Sequence, residues 1–578
     1  ANPTAGGTVT PASGQHNEGA TVSITATPAG EYLFSSWSGA TGTTAATSVV
    51  MNSNKTVTAN FIKKKYTLTT TVEGEGTVTE KVIKAGAATD YNSGTIVELT
   101  ATPSTGWGFK EWQGDLTGTE NPTQITIDKA KTVKAVFESI PPFYLDENGV
   151  TIKANDWVTV GTTGELNGVS YKAVKWSDIK EAINNDEDVT KFVTTTVTEM
   201  YNMFANESNF NQDISHWDVS NVTTMSSMFD GCLEFNQDIS NWDVRNVETM
   251  YSMFKAATKF NQDIDNWDVS KVTTMESMFS YADSFNQDIS NWDVSKVTTM
   301  ALMFNANKVF NQDISSWDVS KATIMYGMFQ YATAFNQDLN DWDVSNVTNM
   351  SAMFSGCSTC SEPIDMKFNG KIGDWNVSSV TNMESMFKNN KVFNQDIGNW
   401  NVSKVVSFGY PEYNAWVDAG MFSGAIAFNQ DISSWDTSNL EHIQGMFKGA
   451  LTFNQNLNNW NVSKVQSLMN VFWEAKQFNE DVSDWNVSNV NNMQGMFREA
   501  DLFNQDLSKW CVYNIKSEPL NFSTSSALTQ TNKPVWATCP GESYGIAVTA
   551  SSSADYTLSG KDRNGDVSGN DPNLTFKV

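Results

Sequence analysis

Histidine is scarce in this 578-residue sequence, and motifs of known catalytic sites are missing. The three histidines, His16, His216 and His442, lie in no motif with a nearby serine, cysteine or carboxylate that would form a catalytic triad. The sequence also lacks the phosphate-binding loop, the zinc-protease helix motif and the nucleophile-elbow motif of serine hydrolases. We therefore expect no catalytic residues and no enzyme activity.

The sequence also has few basic residues and no long apolar runs. Lysine and arginine total 37 against 65 aspartates and glutamates, which gives a net charge of -28 at pH 7. Nucleic acids and anionic membranes are bound through cationic surfaces, so neither is an expected partner. No stretch approaches the roughly 18 apolar residues that a membrane helix needs, so we expect no membrane insertion.

The five cysteines are few, and their positions predict two disulfides. Cys511 ends the last repeat of the chain and Cys539 ends the segment after it, so this pair would staple that end. Cys357 and Cys360 are close enough to close a small loop. Half of a metal site or a redox motif is the alternative for them, but no second such pair and no nearby histidine supports zinc. Cys232 stands where neighbouring repeats carry alanine, which favours a small buried filler over a nucleophile.

A 25-residue repeat fills the middle of the chain. Phe-Asn-Gln recurs at 210, 235, 260, 285, 310 and 335, and the tryptophan that follows the motif marks twelve repeats. Those tryptophans stand at 217, 242, 267, 292, 317, 342, 375, 400, 435, 460, 485 and 510. The longer spacings after Trp342 and Trp400 indicate two insertions. A fixed period in the twenties predicts a solenoid, because a single repeat cannot bury its own apolar face.

Each coil is expected to contain an extended segment, a short helix and two turns. Val222, Met225 and Met228 fall on one face of a helix of about two turns, whereas Ile214 and Val219 suit an extended stretch. The predicted fold class is therefore an α+β repeat solenoid of 25-residue coils, with two small all-β modules before it.

Two polar positions recur with the repeat. The asparagine after each phenylalanine is expected to form an interior ladder that satisfies backbone groups of adjacent coils. Asp213 and Asp218, each repeated in the following coils, can accept backbone N–H bonds in turns. Stacked carboxylates can also coordinate Ca²⁺, so calcium is the alternative to a protein with no cofactor and no metal.

The chain divides into six expected domains. Residues 1–62 and 63–139 are two copies of one β-rich module, in which Gly-Thr-Val, Ala-Thr-Pro, Trp and Lys-Thr-Val return in the same order. Residues 140–204 are expected to cap the N-terminal end of the solenoid, residues 205–516 to form its coils and residues 517–541 to cap its other end. Residues 542–578 are expected to begin a further β-domain.

Three stretches resemble known families. The unit FNQDISxWDVSxVxxMxxMF is similar to a surface-protein repeat of unknown function that belongs with BspA-type leucine-rich repeats. That resemblance implies a right-handed, leucine-rich-repeat-like solenoid on an exported bacterial protein, often linked to adhesion. The two N-terminal modules resemble divergent internalin-type B-repeats, and the stretch from Tyr556 to Pro572 resembles the start of a β-domain of proteins exported by type IX secretion. Together the resemblances favour a gliding or surface adhesin of that secretion class.

The insertions are the expected ligand-binding regions, because recognition residues are concentrated in loops on a scaffold. Tyr410, Tyr413 and Trp416 in the second insertion have no periodic structural duty and can stack on sugar rings or anchor a protein. Burial within the folded insertion is the alternative for these aromatic residues.

The predicted function is a non-enzymatic extracellular adhesin or interaction protein on a bacterial cell surface, which binds a protein or glycan ligand. A carbohydrate-binding accessory protein and a purely structural stalk are the alternatives. Because the sequence starts without methionine and stops in what reads as mid-strand, we expect it to be part of a larger secreted polypeptide.

Overall fold

The computed structural model describes the chain except for residues 85–90, 359, 362, 410–419, 542–546, 551–555 and 560–578. The chain separates into two compact units, Ala1–Tyr144 with Ala154–Ala173, and Leu145–Lys153 with Val174–Val578. Within the described ranges, no helix combines the length and the apolar character needed to cross a membrane.

The described residues form twenty strands and one α-helix. The strands are β1 Gly7–Thr10, β2 Thr21–Pro28, β3 Tyr32–Ser38, β4 Ala46–Val50, β5 Thr58–Lys63, β6 Lys65–Tyr66, β7 Leu68–Glu73, β8 Gly76–Lys84, β9 Tyr91–Asn92, β10 Thr95–Pro103, β11 Trp107–Gly114, β12 Thr123–Ile127, β13 Lys131–Ser139, β14 Phe143–Leu145, β15 Ile152–Ala154, β16 Thr163–Leu166, β17 Val169–Ala173, β18 Phe192–Val193, β19 Ala547–Ala550 and β20 Tyr556–Ser559. The helix, α1, spans Trp176–Asn184.

In the first unit, each N-terminal module consists of small β-sheets around one buried tryptophan. In the first module β2 pairs with β1 and β4, and β3 pairs with β5. In the second module β10 pairs with β8 and β12, whereas β13 pairs with β11 and, in parallel, with β7. The indole N–H of Trp37 donates to the carbonyl of Thr44 (3.0 Å), and that of Trp112 donates to the carbonyl of Glu120 (2.9 Å). Each tryptophan thus fills its core while its one donor is satisfied.

In the second unit, the predicted α+β, leucine-rich-repeat-like solenoid is wrong. The helix α1 precedes the repeats, and the described residues of the repeats contain neither a helix nor an extended strand. Where Val222 and Met225 predicted a helix, the chain forms successive turns, and Ser227 and Gly231 adopt left-handed conformations with φ of 53° and 77°. A residue in that conformation cannot continue a right-handed helix. The described fold is β and turn structure with very little helix.

Neighbouring repeats are joined through their backbones. Single parallel β-bridges link Glu199 to Thr224, Thr224 to Thr249 and so on along the repeats to His442. Every second N–H in the turn segment donates to the next repeat. Examples are Ser227 to Tyr251 (2.7 Å) and Phe229 to Met253 (2.8 Å). Each repeat therefore satisfies the carbonyls of the repeat that follows it.

The side chains of the repeats form one continuous core from Val174 to Leu528. The phenylalanine rings stack between repeats, with centroids 5.5 Å apart for Phe229 and Phe254 and 5.9 Å apart for Phe235 and Phe260. The indole N–H of Trp242 donates to the carbonyl of Ile214 in the previous repeat (3.2 Å). Burial of one such ring contributes about 1.5–3 kcal/mol, so stability accumulates repeat by repeat.

The helix α1 covers the end of the stack at which no earlier repeat is present. Ile179 and Ile183 bury one face of the helix, as its amphipathic sequence requires. On the same helix, the Trp176 indole donates to the carbonyl of Tyr201 (3.2 Å) and the Lys180 ammonium donates to that of Met203 (3.1 Å). These carbonyls are equivalent to those that accept from a preceding repeat elsewhere, so the helix replaces the missing repeat.

Candidate functional site

The asparagine of each repeat forms a continuous ladder. The amide oxygen of Asn211 accepts the backbone N–H of Asn236 (2.9 Å), and Asn236 does the same for Asn261 (3.0 Å). The ladder continues through Asn286, Asn311, Asn336, Asn369, Asn394, Asn429, Asn454, Asn479 and Asn504 to Thr529. Its asparagines are exposed or half-buried, so the expected pairing with adjacent coils is present but its expected interior location is wrong. We call residues 211–221 and their equivalents the ladder face.

The repeated aspartates of the ladder face close local turns. The carboxylate of Asp213 accepts the backbone N–H of Ser215 (3.0 Å), and that of Asp268 accepts the N–H of Ser270 (3.1 Å). In both cases the serine hydroxyl, and then the serine backbone N–H, lowers the pKa of the carboxyl. In the part of the chain that the structure describes, no group of three or more His, Cys, Asp or Glu side chains is placed to hold a metal ion. The contacts favour the turn-closing interpretation of these carboxylates over calcium binding.

A second surface of the repeats, the turn face, consists of residues 224–231 and their equivalents. Both insertions join the repeats there. The first starts at Cys357, directly after the equivalent of Gly231, and is closed by the Cys357–Cys360 disulfide and a pair of backbone bonds between Cys357 and Ile364 (2.8 and 2.6 Å). The second lies between Phe408 and Met421, whose N–H donates to the carbonyl of Phe408 (2.8 Å). The regular stack is therefore interrupted twice on the same face.

Exposed tyrosines lie on the turn face as well. Tyr251 and Tyr326 occupy the position of Ser226 and are 43% and 39% exposed, and Tyr281 and Tyr331 occupy the position of Gly231. Tyr281 is 49% exposed, whereas Tyr331 is half-buried. Burial, and then the neighbouring Tyr281 and Tyr326, raise the pKa of Tyr331.

The three aromatic residues predicted to bind a ligand, Tyr410, Tyr413 and Trp416, lie outside the described residues. Their assignment stays a prediction, as do the domain limits. The structure joins Cys511 to Cys539 and Cys357 to Cys360 by disulfides. Sequence reasoning missed the turn-face tyrosines. The available signal was a large aromatic residue at 281 and 331, where other repeats carry Gly231, Ala256 or Ala306.

A cleft of about 430 Å³ lies beside the first repeat. Asp186, Glu187 and Glu207 line it together with several amide side chains. Its Gln212 is already engaged, because the side-chain oxygen accepts the N–H of Val189 (2.9 Å) and the side-chain nitrogen donates to the carbonyl of Glu187 (3.0 Å). The cleft offers no exposed aromatic ring, so the turn face is the stronger candidate for ligand binding.

Comparison with known families agrees with the division into modules and repeats. The family model described as "Mycoplasma protein of unknown function, DUF285" matches residues 175–282, 262–366, 364–415 and 418–537, more than half of the chain. The model described as "Divergent InlB B-repeat domain" matches residues 1–65 and 66–141, which confirms the resemblance seen in the N-terminal modules. Both are repeat families of surface or secreted proteins, and they fit a surface or interaction role. No curated protein and no solved structure matches the chain.

Proposed function

Because the chain belongs to the DUF285 repeat family, we propose that it is a non-enzymatic adhesin or interaction protein, located outside the cell on a bacterial surface. It presents its stacked repeats to a protein or glycan ligand. The observation that carries this proposal is that both insertions and the exposed tyrosines share the turn face.

The two faces differ in what stacking demands of their side chains. On the ladder face, the asparagine and aspartate side chains are used in bonds between repeats or within turns, as with Asn236 and Asp268. On the turn face, backbone N–H groups such as those of Ser227 and Phe229 make bonds between repeats, and large side chains such as those of Tyr251 and Tyr281 stay exposed. Large exposed rings at such positions, next to inserted loops, are typical of interaction sites.

The finer family setting is also part of the proposal. We place the protein with BspA-type adhesins and gliding-associated proteins exported by type IX secretion, on the sequence of residues 542–578 and of the repeat unit. It acts without a cofactor, without nucleic acid and without insertion into a membrane.

Binding of the fluorescently labelled chain to intact cells and immobilised matrix proteins tests the proposal. We expect saturable binding that falls about tenfold or more when Tyr251, Tyr281 and Tyr326 become alanine, since interaction sites concentrate their energy in a few exposed aromatic residues. The matched control is the triple alanine variant at Lys271, Lys296 and Lys321, which lie exposed on the ladder face. This control should bind like the wild type.

Three results would count against this proposal, each in a different way. Absence of saturable binding to any surface would leave the structural stalk. Equal loss in the two triple variants would remove the turn face as the site. Binding to isolated glycans alone, with none to cells, would favour the carbohydrate-binding accessory protein.

A further inference from the structure

We propose that Tyr281, Tyr331 and Gln330 form a binding site for a neutral polysaccharide on the turn face. The inference rests on the proposed adhesin function and names the class of its ligand.

The two rings lie two repeats apart with a small residue between them. The N–H of Tyr281 donates to the carbonyl of Asn305 (2.8 Å), and the N–H of Ala306 donates to that of Gln330 (2.7 Å), so Tyr281, Ala306 and Tyr331 follow one another in register. Ala306 is 2% exposed although its position faces the surface in other repeats. Ala306 is therefore covered, and the partly exposed side chains of Tyr281 and Tyr331 supply the apolar surface at this place. Flat apolar rings at a fixed separation suit the C–H faces of successive sugar units.

A chain of side-chain hydrogen bonds supplies the polar part of the site. The Ser280 hydroxyl donates to the Asn305 amide oxygen (3.3 Å), and the Asn305 amide nitrogen donates to the Gln330 amide oxygen (3.0 Å). Because the Gln330 side-chain oxygen accepts the bond from Asn305, its side-chain nitrogen is left as a donor. Among the described residues it has no acceptor, and the side chain is half-buried beside Tyr331. A fixed donor next to a ring is what orients a sugar hydroxyl that accepts the bond.

Charge decides which polymer the site takes. Tyr281, Tyr326, Tyr331, Asn305 and Gln330 include no ionised group, and the whole chain carries a net charge of -28. The acidic chain as a whole would repel an anionic polysaccharide. The uncharged rings and the amide donor of Gln330 suit a neutral glycan.

Affinity electrophoresis of the whole chain tests the site. Native gels would contain hydroxyethylcellulose, galactomannan or dextran as neutral probes, and polygalacturonate as the anionic probe. We expect retardation by at least one neutral polymer and none by polygalacturonate. The Tyr281→Ala/Tyr331→Ala variant should bind about tenfold more weakly or worse, because each ring loses its stacking contribution.

The control variants separate binding from folding. Lys296→Ala, at an exposed position of the ladder face outside the site, should be retarded like the wild type. Gln330→Ala removes the donor together with the oxygen that accepts from Asn305, and should weaken binding several-fold. The single Tyr281→Ala variant, at a half-exposed position, provides a second ring variant if the double variant melts at a lower temperature.

Three outcomes overturn the inference. They are no retardation of the wild type by any neutral polymer, equal retardation of the double variant, and retardation by polygalacturonate alone. The cell-binding assay distinguishes the two proposals. Cell binding that is lost in Tyr281→Ala/Tyr331→Ala, without polysaccharide binding, would mean a protein ligand and would leave the adhesin function standing. No cell binding by the wild type would reject the adhesin itself.

Discussion

At the scale of the residue, Cys232 shows how the core controls reactivity. It is fully buried, and its thiol donates to the carbonyl of Phe204 (2.9 Å). Burial raises the pKa of the thiol to about 12. This environment agrees with a small filler and leaves almost no thiolate at neutral pH.

The prediction is that Cys232 resists alkylation in the native protein. Treatment with iodoacetamide at pH 8 should label it at least about a hundredfold more slowly than an exposed thiol, since the thiolate is the reacting species. Peptide mass spectrometry measures the labelling, and the same reaction in denaturant is the control that should label it fully. Rapid labelling of the folded chain would contradict the buried environment.

Glu384 is a half-buried carboxyl on the turn face, and it predicts a pH dependence of stability. Burial raises its pKa to about 7, although Lys388 acts in the opposite direction. In the unfolded chain the pKa is the ordinary 4.5. Below pH 4.5 both states are protonated, so the group costs no stability. As pH rises toward 7 the unfolded state loses its proton first and is favoured, so stability falls.

Replacement of Glu384 by glutamine should therefore remove a pH-dependent loss of stability. Between pH 5 and pH 7.5 we expect the wild type to lose about 1–2 kcal/mol relative to Glu384→Gln, after allowance for partial solvent exposure. Chemical denaturation at both pH values measures the difference. Glu441→Gln, at an exposed position, is the control and should follow the wild type. A constant difference between Glu384→Gln and wild type across this range would disprove the assignment.

At the scale of the element, the asparagine ladder holds neighbouring repeats in register. Asn286 accepts the backbone N–H of Asn311 (2.9 Å) through its side-chain oxygen. Asn286→Ala removes this acceptor and should destabilise the repeats by about 1 kcal/mol, the usual contribution of one hydrogen bond. Asn286→Asp keeps an oxygen at the same place and should recover most of the loss. Denaturant unfolding of the three proteins gives the comparison, and equal stability of Asn286→Ala and wild type would mean that the ladder is incidental.

The repeat also marks the limit of what the sequence predicts about elements. The period, the stacked apolar columns and the turn-closing role of Asp213 follow from residue type and spacing. The conformation of the segment that contains Val222, Met225 and Met228 does not follow in the same way. The spacing of these three residues fits a helix and a series of stacked turns equally well. The deciding residues adopt left-handed conformations, and in many repeats they are not glycine. Ser252 and Leu302, with φ of 52° and 56°, give no warning in the sequence.

The sequence also predicts part of the candidate site. Insertions are visible as broken spacing, and they point to the turn face once the structure locates Cys357 and Phe408 there. In the sequence, Tyr281 and Tyr331 stand out only because other repeats carry a small residue at the position of Gly231. Their proximity depends on the register between repeats, which the bond from Ala306 to the carbonyl of Gln330 establishes.

At the scale of the whole molecule, the two compact units have separate cores. The core of the second module in the first unit contains Trp112 and Phe137, whereas the repeats share the continuous core that includes Phe304. Each unit is therefore expected to unfold in a transition of its own.

This independence gives a prediction for calorimetry. Phe304 is fully buried and stacks with centroid distances of 5.7 Å to both Phe279 and Phe329 and 4.0 Å to Phe310. Phe304→Ala leaves a cavity that costs about 3–5 kcal/mol and should lower the melting temperature of one transition only.

Phe137→Ala is the matched variant in the first unit, where Phe137 is 3% exposed. It should lower the other transition and leave that of the repeats unchanged, because each ring touches only its own core. Differential scanning calorimetry of the wild type and the two variants measures both transitions in one experiment. If either substitution moved both transitions together, the two units would form one cooperative body.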